Sequence, residues 1–256
     1  ATPDGAKIFG RNFDLTYSPA LFVKTQPDNG YASFSTVNLG FLGYNEEKLP
    51  DGLLSSIITL AAPYAPLDGI NEKGLAIGVL LIPTEATNQQ TDKIDITTTT
   101  AVRMVLDKAA TVDEAVALLK QYDMHSSANS SYHFQIADAN GKSVVVEYVD
   151  NEISVVEMDG NWQAATNFLL TPGDYDFGKG QDRYATLEKT LTENKGILSE
   201  AEGMNLLKAV SQPLHLNDDN EMTGTQWSII YNQSELSATI SIGMKYDTPY
   251  TYNLNK

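Results

Sequence analysis

The chain of 256 residues contains no cysteine. That excludes disulfides, cysteine-ligated zinc and any thiol nucleophile within these residues, and it leaves the redox compartment open. Positive charge is scarce: 17 Lys and Arg stand against 33 Asp and Glu, for a net charge of −16. A nucleic-acid partner needs a basic face, so that class is excluded, and an anionic membrane surface would repel the chain. No apolar run is long enough for a transmembrane segment, and no signal-peptide pattern is present. The three histidines, His125, His133 and His215, are not in metal-ligand spacing. His133 falls in a strand and reads as a packed, hydrogen-bonded core residue. There is no G-x-S-x-G elbow, P-loop or dinucleotide fingerprint. There is also no internal repeat, low-complexity linker or sharp domain boundary. The expectation is one domain over 1–256. The chain opens on "ATPDG" without methionine, which reads as a trimmed or processed end.

What is present is an ordinary globular composition, with 42% apolar residues. "AKIFG" reads as a short strand after an Asp4-Gly5 turn, and "ALFVKT" as a second. "GINEKGLAIGVLLIP" reads as a turn at Asn71–Gly74 followed by a buried strand from Leu75 to Ile82. "TTTTAVRMVLDKAA" and "TVDEAVALLKQY" are helices, the latter with Thr111 and Glu114 as a capping box. "SYHFQIADANGKSVVVEYVDNEISVVE" is a three-stranded meander turning at Asn140-Gly141 and Asp150-Asn151. "QDRYATLEKTLTEN" and "SEAEGMNLLKAVSQ" are two further helices, and "TQWSIIYNQSELSATISIG" a final hairpin. Helix pairs between runs of antiparallel strands imply a layered α+β fold, with helices covering two packed sheets.

Four pieces do not look like ordinary core: "GRNFD" at 10–14, "NEKGLAIG" at 71–78, "ATNF" at 165–168 and "DRY" at 182–184. Each has a plain reading, as turn, strand end or helix decoration. Arg11 and Asp14 read either as a surface ion pair or as a pair flanking a reactive group. "NDDNEMTG" around Asp218 reads as a solvated acidic loop, since no glutamate closes a calcium loop.

In order and combination these pieces resemble the choloylglycine hydrolase and penicillin V acylase group of N-terminal-nucleophile hydrolases, over nearly the whole chain. "DGAKIFGRNFDL" resembles the family's opening strand and turn, and "GINEKGLAIGVLLIP" its second landmark. "YHFQIADANGKSVVVEY" resembles its central hairpin, "ATNF" its asparagine site and "DRYATL" its late arginine. The resemblance implies a four-layer αββα sandwich of two antiparallel sheets covered by helices. It also implies hydrolysis of a linear carbon–nitrogen amide through an N-terminal cysteine. The thiol attacks the carbonyl, and the α-amine of the same residue serves as base because its pKa lies near neutrality.

On this resemblance Arg11 favours the thiolate, Asp14 holds the α-amine, Asn167 donates to the oxyanion and Arg183 supports the nucleophile region electrostatically. The family cysteine would fall a handful of residues before Ala1. Bile-salt hydrolases of the group carry an asparagine where this chain has Leu81, whose backbone N–H remains as a donor. The segment from Asn167 to Arg183 lacks their long insertion. The substrate implied is a small-molecule N-acyl amide with an apolar acyl part, and Phe13, Tyr64, Leu81 and Phe168 are the candidate lining residues. Phe22 reads as core packing. An acyltransferase of the same family and a non-catalytic binding protein on the same fold are the alternatives. A homo-oligomer is compatible with the family. A secreted or cell-surface location is favoured over a cytoplasmic one on composition.

Overall fold

Runs rich in β-branched and aromatic residues, separated by asparagine-containing turns, build the central meander. Ser131–Ala137 (β8), Ser143–Val149 (β9) and Glu152–Glu157 (β10) are consecutive antiparallel strands. Asp150 and Asn151 take positive φ values of 50° and 62°, the conformation a two-residue hairpin demands and these residue types tolerate. The computed structural model describes residues 1–45, 47–217 and 220–255. The acidic loop at Asp218 therefore lies outside the described residues.

The meander is one end of a seven-stranded antiparallel sheet. Beyond β8 come Ala76–Ile82 (β5), Asp68–Asn71 (β4), Ser33–Asn38 (β3) and Ala20–Thr25 (β2). A second sheet orders Ile8–Thr16 (β1), Met222–Asn232 (β12), Ser237–Ile242 (β13) and Tyr250–Asn253 (β14), with His215–Leu216 (β11) beside β12. Ile94–Ile96 (β6) and Tyr122–Met124 (β7) form a small parallel pair.

Phe9, Phe13, Trp227 and Tyr231 from the second sheet and Val79 and Phe134 from the first share one buried cluster. Removing this apolar surface from water is the main drive holding the sheets together. Helices Thr98–Lys108 (α2) and Val112–Leu119 (α3) cover the outside of the seven-stranded sheet. Glu200–Ala209 (α5), with Gln181–Glu193 (α4) beside it, covers the five-stranded sheet. The layers are αββα. A short helix at Leu53–Ile58 (α1) continues into a 3-10 turn at Thr59–Tyr64.

Two local expectations need correction. β1 is not a short strand ending in a tight Gly-Arg-Asn turn, because it runs unbroken from Ile8 to Thr16 against β12. Gly10 marks close approach instead: a Cβ there would stand 2.9 Å from Ile230 Cδ1 and 3.5 Å from Leu207 of α5. The Thr111 cap is one-sided. Its hydroxyl accepts from the Glu114 N–H at 3.2 Å, but the Glu114 carboxylate accepts from the Ala110 N–H, one residue early for a capping box.

Candidate active site

β1 sets the site by alternation, since successive side chains leave a strand on opposite faces. Phe13 points between the sheets and stacks on Trp227 at 4.1 Å between ring centroids. Arg11 points the same way, its guanidinium 5.3 Å from the Phe13 ring centre. Asn12 points to the other face, where its Nδ2 donates to Leu207 O of α5 at 2.7 Å. Asp14 shares that second face. Arg11 and Asp14 therefore do not pair, and the surface ion pair considered for them is excluded.

Arg11 is buried and bonded to Asp68 of β4, Nη1 to Oδ2, at 2.8 Å, and Nη1 also donates to Leu67 O. Tyr231 OH donates to the other Asp68 oxygen. Burial, with the Asp68 charge beside it, pushes the Tyr231 phenol well up, so it stays a neutral donor. The Arg11 Nε has no hydrogen-bond partner among the described residues. A buried charge must be paired to be tolerated, and Asp68 does that while one edge of the guanidinium stays uncommitted.

Asp14 is met by three donors. Arg183 Nη1 lies 3.3 Å and Gln212 Nε2 2.9 Å from Oδ2, and the Thr225 hydroxyl donates to Oδ1. Arg183 then reaches across: its Nη2 donates to Asn167 Oδ1 at 2.8 Å. A guanidinium can only donate, so this contact fixes which way the Asn167 amide faces. Its Nδ2 is turned to Leu81 O, 2.8 Å away. The second Nδ2 hydrogen has no protein acceptor among the described residues. Asp14, Arg183, Asn167 and Leu81 thus form one hydrogen-bonded chain from β1 through α4 to the end of β5.

Asn167 sits in a segment held by a buried pair. His133 Nδ1 is 2.9 Å from Glu147 Oε1 and its Nε2 is 2.8 Å from Thr166 O. The two Glu147 oxygens accept from the N–H groups of Leu170 and Thr171, each at 2.8 Å. Burial pushes the Glu147 carboxyl up, but the hydrogen bonds from His133, Thr171 and Leu170 outweigh it and hold the group below its ordinary value.

A cavity of about 230 Å³ runs along the edge of β1 from Ile8 to Asn12. Leu80 and Gln135 lie on the facing sheet, and Leu187 and Leu206 of α4 and α5 close another side. Of the eight residues expected at the site, Arg11 and Arg183 line it. Phe13 packs in the core and does not line this cavity. Tyr64 does not line it either: it is 73% exposed, on the 3-10 turn packed near β2, β3 and α2, and it makes none of the bonds described here. Leu81 offers its carbonyl to Asn167 while its side chain is 39% exposed, and Phe168 lies half-buried, edge-on to Tyr184 at 5.2 Å. Phe22 packs against Phe34 and Tyr252 as expected of a core residue. Asp68, Gln212, Thr225 and Glu147 escape sequence reasoning. For Asp68 the available signal was an acid inside "LDGIN" beside a buried strand, a position that needs a cationic or hydroxyl partner.

The sequence model of the linear amide C–N hydrolases, choloylglycine hydrolase family, matches residues 1–177. The chain belongs to this family. Among curated members it is 32% identical over 111 residues to a penicillin V acylase of Pectobacterium atrosepticum, covering 39% of this chain and 29% of that protein. It is 29% identical over 177 residues to a bile salt hydrolase/transferase of Clostridium perfringens, covering 65% and 51% respectively. The chain thus matches about half of one curated relative's length and less than a third of the other's. Among solved structures, a variant of the conjugated bile acid hydrolase from Clostridium perfringens superimposes with a TM-score of 0.70 at 18% identity, over 99% of this chain and 90% of that one. A penicillin V acylase from Agrobacterium tumefaciens gives 0.59 at 16% identity, over 98% and 82%. These likenesses show that the chain shares the fold of these hydrolases, and the layers are the αββα arrangement expected. No helix among the described residues is long and apolar enough to cross a membrane.

Proposed function

We propose that this choloylglycine-hydrolase-family chain cleaves a linear N-acyl amide through a cysteine thiol at an N-terminus upstream of Ala1. The observation that carries the reading is the register of the first hairpin. The Thr2 N–H donates to Ala6 O and the Gly5 N–H to Thr2 O, with Gly5 at φ +94°, so Pro3-Asp4-Gly5 is a three-residue hairpin loop. Thr2 opposes Ala6, and Ala1 therefore opposes Lys7. Any chain before Ala1 that keeps this register runs antiparallel along β1, at the end of its sheet and beside the cavity. About six residues upstream it stands opposite Phe13.

Directly opposed residues in an antiparallel pair project to one face. A side chain opposite Phe13 shares the Phe13 and Arg11 face, so a thiol there lies beside the guanidinium, which favours the thiolate. The α-amine of the same residue lies along the backbone toward Asp14. A carboxylate offers roughly four acceptor sites, and Asp14 has used three, leaving one for the amine. This explains why Arg11 and Asp14 face opposite ways and still serve one nucleophile.

The thiol passes its proton to the α-amine, and sulfur bonds to the amide carbon. The oxygen becomes an oxyanion facing the uncommitted Asn167 N–H. Collapse breaks the carbon–nitrogen bond, and the α-ammonium returns the proton to the leaving amine. Water, deprotonated by the same amine, then attacks the thioester and releases the carboxylic acid and the thiol. Arg183 orients both Asp14 and Asn167. Leu81 and Phe168 border the acyl group on its exposed side. The reading uses one domain over 1–256 with its short N-terminal extension, and no cofactor or metal. A bile salt hydrolase/transferase among the relatives gives a specific reason to test transfer to an amine as well as to water.

The test is intact-protein mass after rapid acid quench of cysteine-initiated protein mixed with an activated N-acyl amide. An added mass equal to the acyl group, lost when the N-terminal Cys is changed to Ala, supports the reading. Turnover without an acyl adduct, or turnover by the Ala1-initiated chain, would sink it. Adding an amine acceptor and finding a new amide would favour the transferase alternative.

A further inference from the structure

We infer that the buried His133–Glu147 pair is an ion pair that positions Asn167, an inference that rests on the function proposed above. His133 in β8 and Glu147 in β9 are both wholly buried, and they lie opposite each other, one step beyond the Phe134–Val146 register pair. A strand-to-strand contact of this kind between apolar residues would need no charge. Its chemistry is set by what the two side chains face.

Both ring nitrogens of His133 face acceptors. Nδ1 meets a carboxylate oxygen and Nε2 meets the Thr166 carbonyl. A neutral imidazole carries one N–H and would leave one of these contacts unmade, whereas the imidazolium donates to both. The alternative of a proton on Glu147 is disfavoured from the other side. Its two oxygens already accept from Leu170 and Thr171 N–H, as a carboxylate does. The pair is therefore His⁺ and Glu⁻, with every polar atom of both side chains bonded. That satisfies the condition under which a buried charge pair is tolerated.

The three bonds that leave the pair have a common target. Thr166 precedes Asn167, and Leu170 and Thr171 follow Phe168 by two and three residues. The 166–171 stretch belongs to no helix or multi-residue strand, and its regular backbone pairing is one isolated bridge between Asn167 and Lys179. The pair thus grips both ends of the segment that carries the oxyanion donor, from the floor of the seven-stranded sheet. Arg183 fixes the rotation of the Asn167 amide, and His133–Glu147 fixes where its backbone stands. Neither His133 nor Glu147 lines the cavity, so they act as positioning residues. Arg183, which bonds Asn167, is the ionisable side chain that meets this segment from α4.

The test uses cysteine-initiated protein and three readouts. Nitrogen-15 histidine NMR at neutral pH should show both His133 ring nitrogens protonated. Glu147→Gln should release the Leu170 and Thr171 amides to faster hydrogen exchange. It should also lower kcat about tenfold or more, with KM changed less than about twofold, because a displacement of about 1 Å at a reacting centre costs on the order of 100-fold. The deciding comparison is on the Asn167→Ala background, where Glu147→Gln should lower kcat little further. A purely structural role would lower both backgrounds alike. If Glu147→Gln does not fold, the apolar pair His133→Phe with Glu147→Leu removes both charges together and carries the same comparison. A neutral His133, an unchanged kcat, or a fully additive loss on the Asn167→Ala background would overturn the inference. Wild-type protein with the imidazolium and the exchange protection but no amidase activity would place the failure in the proposed function rather than in the ion pair.

Discussion

Two salt bridges bracket β1, and they differ in kind. Arg11–Asp68 lies between the sheets at 2.8 Å, with the side chains 8% and 0% exposed. Arg183–Asp14 lies at 3.3 Å on the other face, with 19% and 14% exposure. The inner pair is closed off by Tyr231 and Leu67 and ties one sheet to the other. The outer pair is one link in a chain that continues to Asn167 and Leu81. The inner network buys rigidity for a cation, and the outer one aligns the groups that the proposed function assigns to the substrate. The two charged side chains of β1, Arg11 and Asp14, thus have different tasks although they stand three residues apart, because a strand alternates faces.

Breaking the inner pair should have the largest effect. Asp68→Ala leaves Arg11 buried without its counter-ion and should cost about 3–5 kcal/mol of stability, read by urea unfolding. Asp14→Asn, by contrast, should cost less, about 1.5–3 kcal/mol from the weakened charge-assisted hydrogen bonds, since Arg183 keeps some solvent and Asn167. Equal losses for the two variants would erase the distinction drawn here.

Next in size is Asn167→Ala. Removal of an oxyanion donor costs about 3–4 kcal/mol of transition-state stabilisation, so kcat should fall by roughly 10²–10³ with KM little changed. The melting temperature should stay near wild type. A normal kcat with a lowered melting temperature would move Asn167 to the structural side of the comparison.

A smaller, conditional effect belongs to Glu147. Its folded-state pKa lies below the ordinary value, so its ionised form adds stability that is complete above the unfolded value of about 4.3. That stability is lost as pH falls through the lower folded value. The melting temperature of wild type should therefore drop more steeply with acid below about pH 4.3 than that of Glu147→Gln. Parallel curves would mean that the carboxylate is not what holds the 166–171 segment.

The sequence made some of this legible and hid the rest for physical reasons. The meander at β8–β10 was readable because runs of β-branched and aromatic residues bounded by Asn-Gly and Asp-Asn turns leave local signals. β3 and β4 were not, since "SFSTVN" and "DGIN" are buried along their whole lengths yet rich in Ser, Thr, Asn and Gly, so no apolar alternation marks them. "GRN" looked like a turn because glycine is read as a breaker, whereas Gly10 is there to let Ile230 and α5 approach. Asn167 and Arg183 were singled out by family resemblance, and the structure places them 2.8 Å apart. The Arg11–Asp68 partnership spans 57 residues, and no local pattern encodes which acid a buried arginine will choose. Tyr64 and Phe13 lie outside the lining of the β1 cavity, one exposed and one in the core, and no local pattern in the sequence separates these two placements.

The central claim is that one N-terminal cysteine stands between Arg11 on one face of β1 and Asp14 on the other. It is tested most directly by the pH dependence of thiol alkylation by iodoacetamide in cysteine-initiated protein, compared among wild type, Arg11→Ala and Asp14→Asn. The account predicts labelling at that single site and a raised apparent thiol pKa in Arg11→Ala. Asp14→Asn should leave the thiol titration much closer to wild type. Superimposable profiles for wild type and Arg11→Ala would contradict it, because the guanidinium would then play no part in setting the charge of the nucleophile.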